Sequence, residues 1–334
     1  LNPILDEEQI SNLKGTFFSE DLIKHHITED TKIVNENGDI LAVFKKNAVP
    51  KEVVDKCRGA FRKSISVSNN RGQAAGPIPD HVKVGDKVDG LTVGKIMGNR
   101  FLPLLKSGKL SKSPKARAVK SSIIGFSDRY PRIPYCRTSM WTQRNWKEYN
   151  NCLPYIKYVD AFFKQHAPAR YKIQKKMAEK SSQDFIIKDT AFSTVTVNKN
   201  FRTAGHFDNG DLKEGFGNLG VISQGQYDGA ITVIPRYGIG LDLKDGDLAI
   251  FDVHELHGNT ETTTKTFYER ISIVCYYREK MIYCGDYEYE LKRAKTNTKK
   301  VANEEELQRA KIIKENILSK TKIWWLGCIY FSFI

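Results

Sequence analysis

The sequence predicts an α+β fold in which a β-sandwich or jelly roll forms the core and helices flank it. Residues 191–277 contain short apolar runs that alternate with a period of two between Gly, Asp and Pro turns. Helical patterns precede these runs at 150–179, with a break near Pro168, and follow them at 288–322. Runs of strands bracketed by helices are typical of the α+β class.

The elements before the core are short and carry clear turn and cap signals. Residues 31–46 predict a hairpin whose turn is Asn35-Glu-Asn-Gly38. A helix is expected from Pro50 to about Ser64, because proline suits the first turn of a helix. Residues 68–77 are rich in small residues and predict a loop that either approaches another group closely or simply turns.

The core strands are expected at 191–197, 219–223, 229–234, 248–251 and 271–277. We therefore divide the chain into three parts. Residues 1–94 form an N-terminal α/β extension that packs on the core, residues 95–285 form the jelly-roll domain, and residues 286–334 form a C-terminal helical region with an apolar tail.

Positive charge is concentrated in one segment of the chain. The net charge is +14, and residues 95–147 carry 13 Lys or Arg against one acid, with aromatic side chains between them. This combination favours nucleic acid as a partner over an anionic membrane surface, although a solvated basic loop would carry the same pattern. Candidate contacts to a phosphate backbone are Lys106, Lys109, Lys112, Lys115, Arg117 and Lys120.

The cysteines and the chain ends bear on location. The six cysteines have no zinc-site spacing and no secretion signal accompanies them, so we expect reduced thiols in an intracellular protein, nuclear if the source is eukaryotic or viral. The last twelve residues are apolar but too few to span a bilayer, so a docked tail or a sequence artefact is favoured over a membrane anchor. We expect a monomer.

His206 and Asp208 are the first two candidate metal ligands. They lie two residues apart and so point to one face of a strand. His257 follows at a distance that allows several short strands, and two His with one carboxylate form the facial triad that holds non-haem Fe(II). His254 is an alternative third ligand, and a pair of structural histidines is the alternative to any metal site.

Arg270 stands 13 residues after His257, at the start of an apolar strand. A guanidinium there could bind the distal carboxylate of 2-oxoglutarate through two hydrogen bonds, with Ser272 on the same face. The competing interpretation is a surface ion pair with the adjacent Glu269.

Residues 120–280 resemble the TET/JBP family of Fe(II)- and 2-oxoglutarate-dependent dioxygenases. The resemblance rests on FxxVTxxxxFxxxxHxD from Phe192, ELH at 255–257 and RIS at 270–272, together with YPRIPYCR at 130–137 and GDLKEGFG at 210–217. It implies a double-stranded β-helix, iron held by His206, Asp208 and His257, O2 as a cosubstrate, and 2-oxoglutarate bound by Arg270 and Ser272.

The same resemblance implies a pocket for a flipped pyrimidine base. Tyr276 matches the position of the aromatic that stacks on the base, and Asp211 and Arg278 occupy base-facing positions where mammalian TET proteins carry Asn and His. Arg137 and Arg202 are candidates for a second cosubstrate or phosphate contact. The zinc-binding insert of the mammalian proteins has no counterpart here.

The implied activity is hydroxylation of the 5-methyl group of 5-methylcytosine or thymine in DNA. Three alternatives stay open at this point. They are an ascorbate-dependent 5-methylcytosine-modifying enzyme of the same family, an RNA or protein hydroxylase on the same fold, and a catalytically silent DNA-binding module.

Overall fold

The structure is a computed structural model that describes residues 1–296 and 299–330, with side chains described as far as residue 320 and none for 297–298. The side chains of the apolar tail at 323–334 therefore lie outside the described part. The described residues contain seven α-helices: α1 Glu7–Asn12, α2 Lys51–Ser64, α3 Met140–Arg144, α4 Trp146–His166, α5 Pro168–Lys180, α6 Tyr287–Lys295 and α7 Glu304–Tyr330.

The strands of the described residues run from the N-terminal region to the end of the core. They are β1 His25–Ile27, β2 Thr31–Val34, β3 Ile40–Lys45, β4 Val67–Ser68, β5 Lys87–Val88, β6 Leu91–Met97, β7 Arg100–Pro103, β8 Val119–Ser127, β9 Arg137–Thr138, β10 Thr194–Lys199, β11 Gly217–Gln224, β12 Asp228–Gly229, β13 Thr232–Ile234, β14 Ile239–Leu241, β15 Leu248–Phe251, β16 Gly258–Asn259, β17 Thr262–Thr263 and β18 Glu269–Tyr276.

Two sheets form the jelly roll. The large sheet has the order β2-β3-β15-β11-β18-β10-β8-β4, with β9 paired to β8, and all of its pairs are antiparallel. The small sheet has the order β1-β14-β13-β16. The predicted α+β jelly roll is confirmed, and the N-terminal residues contribute β2 and β3 to its large sheet.

Apolar side chains cover both faces of the large sheet. On the outer face, α2 packs against β8 and β10, α4 packs against β11 and β15, and α5 packs on α4, with Phe61, Tyr155 and Phe163 fully buried. A second cluster lies between the two sheets and includes Phe44 and Leu241. Side chains of a strand alternate between its faces, so the inner face of β18 carries Arg270, Ser272, Val274 and Tyr276.

The basic segment at 95–147 contains more regular structure than its sequence indicates. β6 and β7 form a hairpin in a three-stranded sheet with β5, and β8 is a nine-residue strand of the large sheet. Val93 and Phe101 form a small apolar core beneath the hairpin. The many lysines mask this strand pattern, because their long side chains keep the outer face polar.

The expectation that all cysteines are thiols was wrong for one pair. Cys136 and Cys284 form a disulfide, with Cα atoms 5.9 Å apart and a separation of 148 positions in the chain. Cys57, Cys152 and Cys275 are free and buried. The fold brings the pair together, and nothing in their spacing indicates it. Among the described residues, no helix has the length and apolar character needed to cross a membrane.

Glu269 anchors the start of β18. Its buried carboxylate accepts hydrogen bonds from Arg62 Nε at 2.9 Å and from Lys199 Nζ at 2.5 Å. Burial raises the pKa of Glu269, but the bonds from Arg62 and Lys199 outweigh burial and leave the pKa below its ordinary value. The expected ion pair of Glu269 is therefore made with these two residues and not with Arg270.

We predict that Glu269→Gln lowers the free energy of unfolding by about 1–3 kcal/mol at neutral pH, because it removes charge-assisted hydrogen bonds. The folded-state pKa is depressed, so this stabilisation is present above the unfolded pKa of about 4.3 and is lost as pH falls through the folded value. Urea unfolding at several pH values measures it. A difference between variant and parent that stays constant down to pH 3 would contradict the assignment.

Candidate metal and cosubstrate site

His206, Asp208 and His257 meet at the mouth of the jelly roll. His206 and His257 face each other across an antiparallel bridge, with backbone N–H groups donating to the opposite carbonyls at 3.0 and 3.1 Å. The carboxylate of Asp208 lies 3.9 Å from His206 Nε2 and 3.7 Å from His257 Nε2. One ligand atom from each residue lies within 4.8 Å of the others, so the three can share one ion.

The two histidines are oriented for ligation. His206 Nδ1 donates to the carbonyl of Ala204 at 2.8 Å, and His257 Nδ1 donates to that of Glu255 at 3.0 Å. Each Nε2 therefore presents its lone pair toward Asp208, as in metal sites whose ligands are held by backbone carbonyls. Burial and the neighbouring His206 lower the pKa of His257 to about 4, which keeps that ring neutral. Two imidazoles and a carboxylate are a ligand set that fits Fe(II).

Arg270 points into the same cleft from β18. Arg270, Ser272, Val274 and Tyr276 line the cleft, while the residues between them belong to the core on the other face. Arg270 is 6% exposed, and its Nε and Nη2 are buried without a hydrogen-bond partner. A buried guanidinium without a partner is unfavourable, so this position fits a ligand that brings a carboxylate.

Ser272 belongs to a polar row that crosses three strands. Asn198 on β10 is its cross-strand neighbour and donates to Ser272 Oγ at 3.3 Å. Ser121 on β8 donates to the other end of the Asn198 amide. Because Ser272 Oγ accepts from Asn198, its own proton is free to point into the cleft beside Arg270.

The cleft has a volume of about 990 Å³. It takes in the three candidate metal ligands, Arg270, and a wall formed by β8, β10 and β18. Tyr276 is 9% exposed, and its hydroxyl is 2.9 Å from Thr196 Oγ1, so its ring is fixed in this wall. A cavity of this size takes a small dicarboxylate and one nucleobase together.

Asp211 and Arg278 contact each other at one end of the cleft. Arg278 Nη1 donates to Asp211 at 3.2 Å and Arg278 Nε donates to Asp128 at 3.3 Å. Burial and the charge of Asp208 raise the pKa of Asp211 well above its ordinary value, while Arg278 opposes this shift. Arg278 is thus held between two carboxylates, and the pairing limits where its remaining N–H groups can point.

Of the other predicted site residues, some line the cleft and others lie outside it. Arg137 lines the cleft and stacks on Tyr130. Arg202 does not line it, because its guanidinium pairs with Glu261 at 3.0 Å and donates to a backbone carbonyl. His254 is hydrogen-bonded to Asp252 and stands apart from the metal group. Lys106, Lys109, Lys112 and Lys120 are exposed, and Lys115 and Arg117 are half-buried.

Residues 122–279 match the model of the Tet_JBP family, described as the oxygenase domain of the 2OGFeDO superfamily. Over these residues the chain is similar to the TET/JBP family. The predicted resemblance is confirmed, and the segment is an oxygenase domain whose superfamily uses Fe(II) and 2-oxoglutarate.

Curated relatives of this TET/JBP domain come from kinetoplastids. The "Bifunctional helicase and thymine dioxygenase JBP2" of Leishmania infantum is 37% identical over 161 residues, which cover 47% of this chain and 14% of the relative. The "Thymine dioxygenase JBP1" of Trypanosoma brucei brucei is 36% identical over 165 residues, covering 47% of this chain and 19% of the relative. The chain thus matches less than a fifth of these proteins' own lengths.

A solved structure supports the fold assignment. NgTET1, solved in complex with 5mC DNA, aligns with a TM-score of 0.54 at 12% sequence identity and covers 84% of this chain and 88% of its own. At this identity the likeness establishes the fold alone. It agrees with the observed jelly roll and its flanking helices.

Three residues of the cleft were not singled out from the sequence. Asp128 holds Arg278, and Arg71 and Arg100 stand in the cleft wall. The loop at 68–77 was expected either to approach another group closely or simply to turn, and nothing in the sequence around Arg71 indicated a site. A single arginine between Asn and Gly becomes informative only once the loop is known to lie against the metal ligands.

Proposed function

We propose that this chain hydroxylates the 5-methyl group of a pyrimidine base in DNA, using Fe(II), 2-oxoglutarate and O2. The observation that carries the proposal is the unpartnered guanidinium of Arg270 in the same cleft as His206, Asp208 and His257. The likeness to thymine dioxygenases in sequence supports the choice of a pyrimidine methyl group.

Each side chain has a defined task in this proposal. His206, Asp208 and His257 would hold iron, which supplies the oxidising power for breaking a C–H bond of the methyl group. Arg270 binds the distal carboxylate of 2-oxoglutarate through the N–H groups that lack partners, and Ser272 donates a further hydrogen bond. These residues orient both substrates at one wall of the cleft.

The target base must leave the duplex to reach this site. The metal ligands lie inside the cleft, and a base in a stacked helix does not reach them. Flipping costs a few kcal/mol, which stacking inside the pocket offsets. Tyr276 offers a fixed aromatic face for this purpose, and Arg278 with Asp211 offers hydrogen-bonding groups for the edge of the base.

The exposed basic segment at 90–127 supplies the contacts to the DNA backbone. Lys106, Lys109 and Lys112 lie in a stretch of chain at 90–127 that contains eight Lys or Arg and no acid. Cations that meet phosphates release counterions from DNA, so binding becomes weaker and less salt-dependent when they are removed.

We predict that changing Lys106, Lys109 and Lys112 together to Gln reduces the slope of log K against log salt by up to about 2.7, roughly 0.9 for each phosphate contact. Fluorescence anisotropy of a labelled duplex across salt concentrations measures this slope. The matched control changes three exposed lysines outside the segment, Lys56, Lys180 and Lys188. Equal slopes for the two triple variants would show that the basic segment at 90–127 is not part of the DNA interface.

The activity test uses nucleoside mass spectrometry. The protein is incubated with Fe(II), 2-oxoglutarate and duplexes that contain either thymine alone or added 5-methylcytosine, and the DNA is then digested. We expect 5-hydroxymethyl product from at least one base, dependent on 2-oxoglutarate. The absence of an oxidised base in both duplexes, with iron bound, would overturn the proposal. The same incubation with an RNA duplex of the same sequence compares the yield of oxidised base in RNA and in DNA directly.

The chain is proposed to act as a monomer in the compartment that holds its DNA. All residues assigned to iron, cosubstrate and base come from one chain. Light scattering with and without a duplex measures the stoichiometry, and a dimer in either state would contradict this part of the proposal.

A further inference from the structure

Arg71 stands in the wall of the cleft with no partner. Its Nε is buried and makes no hydrogen bond, and no ion pair to Arg71 occurs among the described residues. Burial lowers the pKa of its guanidinium, and the nearby Tyr276 and Asp208 oppose that shift. Arg71 therefore resembles Arg270 in one respect, since it lines the cleft with a buried Nε that has no hydrogen-bond partner.

The loop that carries Arg71 is fixed at both ends. The carbonyl of Asn69 accepts from Ala116 N at 2.8 Å, and the carbonyl of Ala74 accepts from Ala204 N at 3.0 Å. Ala204 is also the residue whose carbonyl orients His206. The position of Arg71 relative to the metal ligands is therefore set by the backbone and does not depend on a mobile side-chain contact.

Arg100 stands beside Arg71 at the cleft wall. A Cβ on Gly72 would lie 2.4 Å from Arg100 Nη2, and Gly72 has φ +55, so a side chain at residue 72 would displace this guanidinium. Arg100 lines the cleft, is exposed, and has no ion pair among the described residues. Two arginines that line one cleft and form no ion pair among the described residues offer donors for an oxyanion.

We propose that Arg71 and Arg100 form an oxyanion site that binds a phosphate of the DNA strand next to the flipped nucleotide. The inference rests on the proposed function and adds a binding site to it. Two arginines that line one cleft, Arg71 partly buried and Arg100 exposed, match a phosphodiester that enters from outside.

A carboxylate of 2-oxoglutarate shares this chemistry and is the alternative source of the anion. Its distal carboxylate already has a partner in Arg270, and its other end belongs at the metal ligands. Arg100 is exposed at the edge of the cleft, where a small cosubstrate bound at the metal would not extend. The phosphate next to the flipped nucleotide is an anion that neither Arg270 nor the metal ligands would bind.

The first experiment neutralises single phosphates of the DNA. A duplex with one target base is made with a methylphosphonate at each position around that base, and its affinity is measured with iron replaced by Mn(II), so no turnover is needed. For the unchanged protein, we expect one position to weaken binding roughly tenfold, the size of a lost charge-assisted contact. In Arg71→Gln, the same methylphosphonate should cause no further loss. If the methylphosphonate and Arg71→Gln weaken DNA binding additively at every position, the proposal is overturned.

The second experiment measures the cosubstrate. Binding of N-oxalylglycine, an unreactive analogue of 2-oxoglutarate, is followed by calorimetry in the Mn(II) protein for Arg71→Gln, Arg100→Gln and the exposed control Arg309→Gln. We expect equal dissociation constants within about twofold in all three. If Arg71→Gln weakens binding of the analogue and leaves DNA binding unchanged, Arg71 belongs to the cosubstrate site and the phosphate assignment is overturned.

Stability separates a binding role from a structural one. Arg71→Met removes a buried guanidinium that has no partner, so the variant should unfold at the same or a higher temperature without DNA. A lower unfolding temperature would mean that Arg71 supports the fold, and this outcome would count against the site. A failure of the activity test leaves these binding measurements interpretable, since none of them requires oxidation of a base.

Discussion

Replacing Asp208 with alanine is expected to abolish iron binding and oxidation of the base. Asp208 supplies the only carboxylate of the metal group found among the described residues, and it lies between the two histidines at 3.9 and 3.7 Å. Loss of a residue that merely orients a ligand weakens metal binding by roughly 10–100-fold, so loss of a ligand itself should exceed about 100-fold. Activity should fall below detection.

The fold should survive this substitution. The side chain of Asp208 is about one-third exposed, and its close ion contacts among the described residues are with the two histidines. Removing this side chain therefore deprives no buried group of a hydrogen bond. Equilibrium dialysis with Fe(II) measures the metal, and circular dichroism checks the fold. Asp228→Ala, at an exposed residue outside the cleft, is the matched control. An active Asp208→Ala protein would remove the iron assignment.

Strand periodicity predicted much of this arrangement. Arg270, Ser272 and Tyr276 fall on one face of β18 because even spacing on a strand places side chains together, and the structure puts all three in the cleft. The strand expected at His206 and Asp208 was wrong, because both lie between β10 and β11 and only His206 forms an isolated bridge. The inferences for β18 are local, and they need only the correct assignment of a strand.

Contacts between distant segments could not be read from the chain. Asp211 and Arg278 were expected to face a base separately, and the structure joins them through an ion pair that also includes Asp128. The order of strands in the large sheet determines which distant residues come into contact. The sequence around each single residue does not reveal that order. The Cys136–Cys284 disulfide and the placement of Arg71 were hidden for the same reason.

Arg270 is the residue whose structural state argues most directly for a ligand. Its Nε and Nη2 are buried, and neither donates a hydrogen bond. Glu269, the adjacent acid, is turned away toward Arg62 and Lys199. An unpartnered buried guanidinium lowers the stability of the protein without its ligand, and a structural role for Arg270 would have placed a carboxylate beside it.

We predict that Arg270→Met weakens 2-oxoglutarate binding by at least about 100-fold, because two charge-assisted hydrogen bonds are each worth about 1.5–3 kcal/mol. The same variant should be at least as stable as the parent without cosubstrate. A thermal-shift titration measures both effects, since a ligand at 100 times its dissociation constant stabilises the parent by about 2.7 kcal/mol. Arg270→Lys should be intermediate, because it keeps the charge and loses the planar pair of donors. An unchanged titration in Arg270→Met would place the carboxylate elsewhere, whereas a lower stability without ligand would make Arg270 a structural residue. The predicted combination, equal or higher stability with lost cosubstrate binding, follows only if the guanidinium is held in the cleft for an anion that the protein itself does not supply.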